Sequence, residues 1–294
     1  MRAVFVGEAM LELSRDGERW RLGYGGDTLN TAIHLARAGV DVGYLTALGD
    51  DPFSAEIKRE WQAEGLDVSL VLTHPTRHAG LYAIDTDPAG ERSFTYWRDH
   101  AAVREMFALP SMPGALQVAE HADLLAFSLI TLAILPPAAR AELIALAGRV
   151  RANGGRVAVD GNYRARLWSD PAEACAARDT AIACADIGLP TLEDEAALSG
   201  SASANDVAAH WQGLGCAETV VKLGAGGCRL PHGRIIAPEA TLTPIDTSGA
   251  GDAFNAGYLA ARLEGAAIED AARAGHALAG WTIMRRGAIP PRDS

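Results

Sequence analysis

Short apolar runs closed by glycine alternate along this chain with longer stretches whose apolar positions recur at helical spacing. Ala3-Val4-Phe5-Val6-Gly7 has the first pattern, that of a strand buried on both faces. A helix is expected from Asp27 or Thr28, with Leu29, Ile33 and Ala36 on one face and Gly39 closing it. Residues 40–48 read as the next strand, and Gly49-Asp50-Asp51-Pro52 opens another helix with proline in its tolerated first turn. Further buried strands are expected over 124–127, 156–160, 187–189 and 219–223. Helices are expected over 137–151, 171–184, 205–214, 251–263 and 268–285. Strands alternating with helices imply right-handed crossover units and a mostly parallel sheet.

Two segments break the rhythm. Residues 11–24 and 79–98 alternate with the period of strands, the second pair joined by the turn-rich Asp85-Thr86-Asp87-Pro88-Ala89-Gly90. They are expected to form a small β-rich lid, from about 11–24 and 79–100, beside the main sheet. No linker or repeat divides the chain, so one domain over 1–294 is expected.

Composition narrows the partners. With 294 residues, 49% of them hydrophobic, the chain can build a large core, and its 31 glycines follow no collagen-like period. Twenty-six basic against 37 acidic side chains give a net charge of −11, which disfavours nucleic acid and anionic membrane as partners. Cations for an anionic ligand must therefore be local. Lys58 and Lys222 are the only lysines; the rest are arginines, suited to bidentate grips on carboxylate or phosphate. Cys175, Cys184, Cys216 and Cys228 form no C-x-x-C pair, and nothing before the first strand resembles a signal peptide. Reduced thiols in a cytoplasmic protein are expected. The longest uncharged run, 124–139, contains Ser128, Thr131, Pro136 and Pro137 and falls short of the roughly 20 apolar residues that span a bilayer.

The richest chemistry lies in Asp246-Thr247-Ser248-Gly249-Ala250-Gly251-Asp252-Ala253-Phe254-Asn255-Ala256-Gly257. Two glycines permit a tight turn with exposed N–H groups, and an Ala-rich helix follows, which together make an anion site. Asp252 would repel a phosphate that was merely bound. It makes sense as a base that takes a hydroxyl proton while the amides stabilise a phosphoryl group in transfer. On these residues alone, an ordinary Gly-rich turn with an Asp complementing the helix dipole also fits.

This segment resembles the D-T-x-G-A-G-D signature of the PfkB, or ribokinase-like, carbohydrate kinases. Their second signature, G-G-x-x-x-N-x-A, is matched by Gly25-Gly26-Asp27-Thr28-Leu29-Asn30-Thr31-Ala32 near the other end of the chain. The resemblance implies a three-layer α/β/α ribokinase-like fold, with a mostly parallel central sheet and a small lid, and an ATP-dependent kinase using Mg²⁺. By it, Asp252 is the catalytic base, and the amides of Gly249, Ala250 and Gly251 are the anion hole. Lys222-Leu223-Gly224-Ala225-Gly226-Gly227 matches the loop lining the nucleotide, so Lys222, Gly224 and Gly227 are nucleotide-site residues, with Gly249 and Gly251. Asn162 and His276 are placed there too. Many relatives organise magnesium through N-x-x-E, where this chain has Thr191-Leu192-Glu193-Asp194-Glu195; Glu193 and Asp194 are the candidates for indirect contact with the metal.

In the strand Arg92-Ser93-Phe94-Thr95-Tyr96-Trp97-Arg98, residues Phe94, Tyr96 and Arg98 share a face, and Tyr82 on the partner strand can join them. An aromatic shelf ending in arginine suits a sugar that carries a carboxylate. The run Asp160-Gly161-Asn162-Tyr163-Arg164-Ala165-Arg166-Leu167-Trp168, with Tyr96-x-Arg98, resembles the 2-keto-3-deoxygluconate kinases within the family. Their acid-sugar grip carries over to Tyr96, Arg98 and Arg164. Gly26 meets the substrate through its backbone, with Gly25, Asn30, Tyr82 and Asp252 beside it. The alternatives are a fructokinase, a ribokinase, a 2-keto-3-deoxygalactonate kinase, or a non-catalytic sugar- or nucleotide-binding regulator. A homo-oligomer formed through the lid is expected from its strand edges. No P-loop, no G-x-G-x-x-G after the first strand and no G-x-S-x-G occurs.

Overall fold

The computed structural model describes residues 1–16, 19–86 and 92–292. At its centre the strand Arg2–Val6 pairs in parallel with Asp41–Gly49 on one side and Leu124–Ser128 on the other. The sheet extends through Arg156–Asp160, Ile187–Gly188 and Glu218–Thr219 at one edge. At the other edge Leu66–Asp67 and Val71–His74 both pair with Asp41–Gly49. All these pairs are parallel, which requires the sheet to be covered on both faces. Alternation within single strands shows how. Val4, Val6, Leu125 and Phe127 enter one buried core, with Leu143, Val150 and Trp211 from helices on that face. Ala3, Phe5, Leu124 and Ala126 enter the other, with Leu29, Ile33, Trp61 and Leu259. The result is a three-layer α/β/α sandwich.

Most expected elements sit within a residue or two of their predicted bounds. The helix Pro52–Ala63 is capped by Asp51, whose Oδ1 accepts the Ser54 amide at 2.9 Å. Two expectations change. The strand over 219–223 divides, with Glu218–Thr219 in the main sheet and Val221–Lys222 in an antiparallel sheet with Cys228–Arg229 and Ile235–Ile236. The 224–227 glycines turn the chain back there. The last helix, Ile268–Ile283, stops short of Arg285 because the Ile283 carbonyl accepts the amides of Ile245 and Asp246, at 2.8 and 3.1 Å. Two short helices were not expected, Met112–Ala119 and Leu129–Ile134, and a third, Leu192–Ser199, carries Glu193, Asp194 and Glu195 in its first turn.

Beside this sandwich stands a four-stranded sheet in the order Arg19–Gly25, Met10–Asp16, Gly80–Thr86, Arg92–Trp97. Its outer pairs are antiparallel and its central pair parallel. The turn expected at 85–90 falls, from Asp87 to Gly90, outside the described residues. One face of this sheet carries Glu12, Tyr82 and Tyr96; the opposite face carries Leu13, Trp20, Leu22, Leu81 and Trp97. Parallel strands present their carboxyl ends on one edge, where open α/β sheets bind ligands, and Glu8 and Asp160 follow or end such strands.

Candidate active site

The chain reaches the helix Ala250–Leu263 through a turn braced from both sides. The Asp246 carboxylate accepts the amides of Ser248 and Gly287, each at 2.8 Å. Gly249 then takes a left-handed conformation, φ 68°; a Cβ there would stand 2.6 Å from the Ala288 Cβ. Of the three expected anion-hole amides, Ala250 N–H reaches Thr247 O at 3.3 Å. Those of Gly249 and Gly251 have no acceptor among the described residues. Free N–H groups at a helix start, reinforced by the dipole, attract an anion.

Asp252 lies in the first turn of that helix and is nearly buried. The Asn30 amide donates to its Oδ2 at 2.8 Å. Burial, with Asp27 and Asp160 nearby, pushes the Asp252 carboxyl up to about 8, against the pull of Asn30 and Lys222. Asn30 is delivered by the helix Asp27–Arg37, which the Gly26 turn starts where a side chain would collide with the Glu8 carbonyl. The same helix holds the catalytic segment in place: Thr31 Oγ1 donates to Asp252 O at 3.3 Å, and His34 bonds Ala288 O at 2.9 Å.

Around Asp252 the charges are paired in short chains. Lys222 Nζ donates to Asp160 Oδ1 and to Asn255 Oδ1, both at 3.0 Å, and the Asn255 amide closes the triangle on Asp160 Oδ2. Asn162 donates to Asp27 Oδ2 at 3.0 Å. Asp194 accepts from Arg164 Nη1 at 3.2 Å, and burial raises its carboxyl to about 6. Glu195 points elsewhere, held by Arg178 at 2.6 Å and Trp211 Nε1 at 2.9 Å.

The face of the four-stranded sheet that carries Tyr82 closes the other side. Tyr82 and Tyr96 stack at 5.8 Å, and Phe94 stacks on Tyr96 at 6.3 Å. Tyr82 donates its hydroxyl to Glu12. Arg98 is buried, and its guanidinium is paired with the buried Glu8.

These groups surround one cavity of about 1570 Å³. Every residue singled out from the sequence lines it except Gly25, Gly227 and His276. Gly25 makes room for the Tyr82 hydroxyl, and Gly227 (φ 93°) passes so close to the Ile236 carbonyl that a Cβ would collide with it. His276 packs at 5.0 Å on Phe254 and bonds Ile236 O at 3.0 Å; burial lowers its pKa. Sequence reasoning passed over Glu8, Asp27, Asp160, Arg166, Asp246 and Asn255. Asn255 was within reach, since it lies one helical turn after Asp252 and so shares its face; the others pair across long sequence separations. Among the described residues no three His, Cys, Asp or Glu side chains form a metal cage. Asp160, Glu193 and Asp194 line the cavity and suit a magnesium ion, which takes one or two carboxylates and completes its shell with phosphate and water.

A sequence model of the pfkB family carbohydrate kinase matches residues 2–294. The chain is 44% identical to the 2-dehydro-3-deoxygluconokinase of Escherichia coli (strain K12) over 301 residues, covering 98% of this chain and 97% of that protein. It is 41% identical to the 2-dehydro-3-deoxygluconokinase of Dickeya dadantii (strain 3937), over 98% of this chain and 96% of that one. The crystal structure of aminoimidazole riboside kinase from Salmonella enterica, complexed with aminoimidazole riboside and an ATP analog, superposes with a TM-score of 0.83 at 25% identity. That match covers 98% of this chain and 95% of the other.

Proposed function

The chain belongs to the pfkB family of carbohydrate kinases, and on that footing we propose that it transfers the γ-phosphate of ATP to the primary hydroxyl of 2-keto-3-deoxygluconate. The observation that carries the reaction is the buried Asp252 at a helix start whose Gly249 and Gly251 amides meet no acceptor among the described residues. Support for the substrate comes from relatives 41–44% identical and named 2-dehydro-3-deoxygluconokinase.

In this reading Asp252 takes the proton of the sugar hydroxyl as its oxygen bonds to the γ-phosphorus and ADP leaves. A carboxyl raised to about 8 is a stronger base than an ordinary Asp and still partly ionised near neutral pH. The Gly249, Ala250 and Gly251 amides stabilise negative charge on the moving phosphoryl group. Lys222, fixed by Asp160 and Asn255, adds a positive charge on the nucleotide side with Gly224 and Asn162. Asp160, Glu193 and Asp194 would hold magnesium through its water shell, and the ion would supply positive charge to offset that of the phosphates. Tyr96, Arg98 and Arg164 receive the acid sugar, with Gly26 and Asn30 beside it. The four-stranded sheet acts as the lid, excluding water that would compete as acceptor.

A coupled ADP-release assay tests the substrate. Turnover is expected with 2-keto-3-deoxygluconate at a kcat/KM well above that for fructose or ribose, and turnover confined to the neutral sugars overturns the assignment.

No helix among the described residues is long and apolar enough to cross a membrane, and the cytoplasm is the proposed compartment. The sheet face opposite Tyr82 leaves Trp20 48% and Trp97 57% exposed. Such a face is best buried by a second copy, so a homodimer through the lid is proposed. Sedimentation equilibrium is expected to give a dimer that the Trp20→Asp/Trp97→Asp double variant converts to monomer; a monomeric parent enzyme refutes this.

A further inference from the structure

After the last helix, residues 285–292 run back as an irregular strap with no strand or helix of their own. Gly287, Ala288, Ile289 and Pro291 line the cavity, and Ala288 is the residue on which the Gly249 turn is packed. A segment without a backbone ladder takes its position from outside contacts. Ile289 packs on the core, but apolar burial is non-directional. Directed contacts come from Asp246, which accepts the Gly287 amide at 2.8 Å, and from the helix Asp27–Arg37.

That helix presents a row of polar side chains. Asn30 and Thr31 hold Asp252. One turn on, His34 bonds the Ala288 carbonyl at 2.9 Å; another turn on, Arg37 Nη1 donates to the Pro290 carbonyl at 2.6 Å. Spacings of four and three put positions 30, 34 and 37 on one face. Arg37 Nε and Nη2 fork onto the two carboxylate oxygens of Glu64, each at 2.7 Å. Glu64 follows the helix Pro52–Ala63 and also meets the strap, taking Arg292 Nη2 on its carbonyl at 3.0 Å and on its carboxylate at 3.4 Å. The side chains of Arg37 and Glu64 are only 11% and 22% exposed, and a shielded bidentate pair holds one geometry. Every guanidinium nitrogen of Arg37 is thus engaged by the protein, which leaves it no fork for a ligand.

We propose that Arg37, locked by Glu64, is a positioning residue for phosphoryl transfer: it clamps the strap at Pro290, and the strap holds the Gly249 turn in the shape that aims its amides at the transferring group. The proposal rests on the anion-hole reading given above. One helix thereby sets both halves of the chemistry, the base through Asn30 and Thr31 and the amides through His34 and Arg37.

The test sets Arg37→Met beside a control that breaks an equivalent pair elsewhere. Arg262, in the last turn of the helix that begins with the anion hole, forks onto Glu218 with two bonds of 2.7 Å and gives its third nitrogen to the Ala266 carbonyl. Neither substitution strands a carboxylate, since Glu64 keeps Arg292 and Glu218 keeps the Tyr258 hydroxyl. Both variants are expected to fold and to lose Tm. Only Arg37→Met should lower kcat, by about 10- to 100-fold, the scale of a misplaced donor, with KM for ATP and for sugar within about threefold of the parent. Affinity for ADP with aluminium fluoride, a mimic of the phosphoryl group in transfer, should weaken by the same factor while affinity for ADP alone holds. Arg37→Lys should fall between, because a point charge cannot serve Glu64 and Pro290 together. A kcat in Arg37→Met within threefold of the Arg262→Met value overturns the proposal and leaves the kinase assignment standing. So does a loss confined to KM, which would make Arg37 a ligand contact. A parent enzyme in which aluminium fluoride adds nothing to ADP binding overturns the anion-hole reading and the proposal with it.

Discussion

Asp252→Asn is expected to lower kcat by about 10²- to 10⁴-fold, the range that a positioned base contributes, with little change in the KM for ATP. The amide keeps the size and the contact with Asn30 but cannot take a proton. The pH profile makes the test specific. Asp252 acts as a carboxylate, and burial beside Asp27 raises its pKa to about 8. kcat/KM of the parent enzyme, which reports the free enzyme, should therefore climb through neutral pH and level off above about 8. An ordinary Asp would give a limb ending near pH 4. Asp252→Asn should lose the limb along with the rate. A flat profile in the parent, or a variant within tenfold of its kcat, removes Asp252 from the role of base.

The same shift has a consequence for stability. The folded-state value of about 8 lies above the ordinary 3.8, so the folded protein retains a proton that the unfolded chain releases. Whatever stability Asp252 offers is complete below pH about 4 and is lost as the pH rises through about 8. Asp252→Asn is thus expected to raise Tm, most strongly at pH 8 and above, and hardly at all in acid. An inactive variant that melts higher would mark Asp252 as a group kept for chemistry at the expense of the fold.

What the sequence disclosed and what it hid follow from one physical distinction. Glycines 249 and 251, Asp252 and the start of the Ala-rich helix form a local unit: a turn, its free amides and the acid one turn in are fixed by neighbours in the chain. Central strands such as Arg2–Val6 were legible because burial on both faces leaves an unbroken apolar run, and the lid strands because one wet face enforces alternation. Charge pairing across the fold left no such trace. Glu8 and Arg98, Arg164 and Asp194, and Lys222 with Asp160 are brought together only by the order of strands in the sheets. Arginines that read as free cations, Arg98 and Arg164, were already matched. The strand over 219–223 failed for a similar reason: an apolar run specifies burial but not which of two sheets will claim each half.

The second large effect concerns the backbone of the anion hole. Gly249→Ala is expected to reduce kcat by about 10²- to 10³-fold, the loss that follows when one oxyanion-type donor is misplaced. Two penalties coincide at this position. The left-handed φ of 68° costs an alanine roughly 1 kcal/mol, and the new Cβ would lie 2.6 Å from the Ala288 Cβ and 3.0 Å from its carbonyl oxygen. Ala288 cannot retreat freely, because its carbonyl is bonded to His34 and the preceding Gly287 amide to Asp246. The turn must yield instead, carrying the Gly249 and Gly251 amides away from the transferring group. Gly39 supplies the control. It has a φ of 90°, open space where a Cβ would go, and no place in the cavity. Gly39→Ala should therefore share the backbone strain, read as a comparable fall in Tm, and retain kcat. If Gly249→Ala behaves like Gly39→Ala, losing stability alone, the amides of this turn do not stabilise the phosphoryl group, and the charge must be met by Lys222 and magnesium without them.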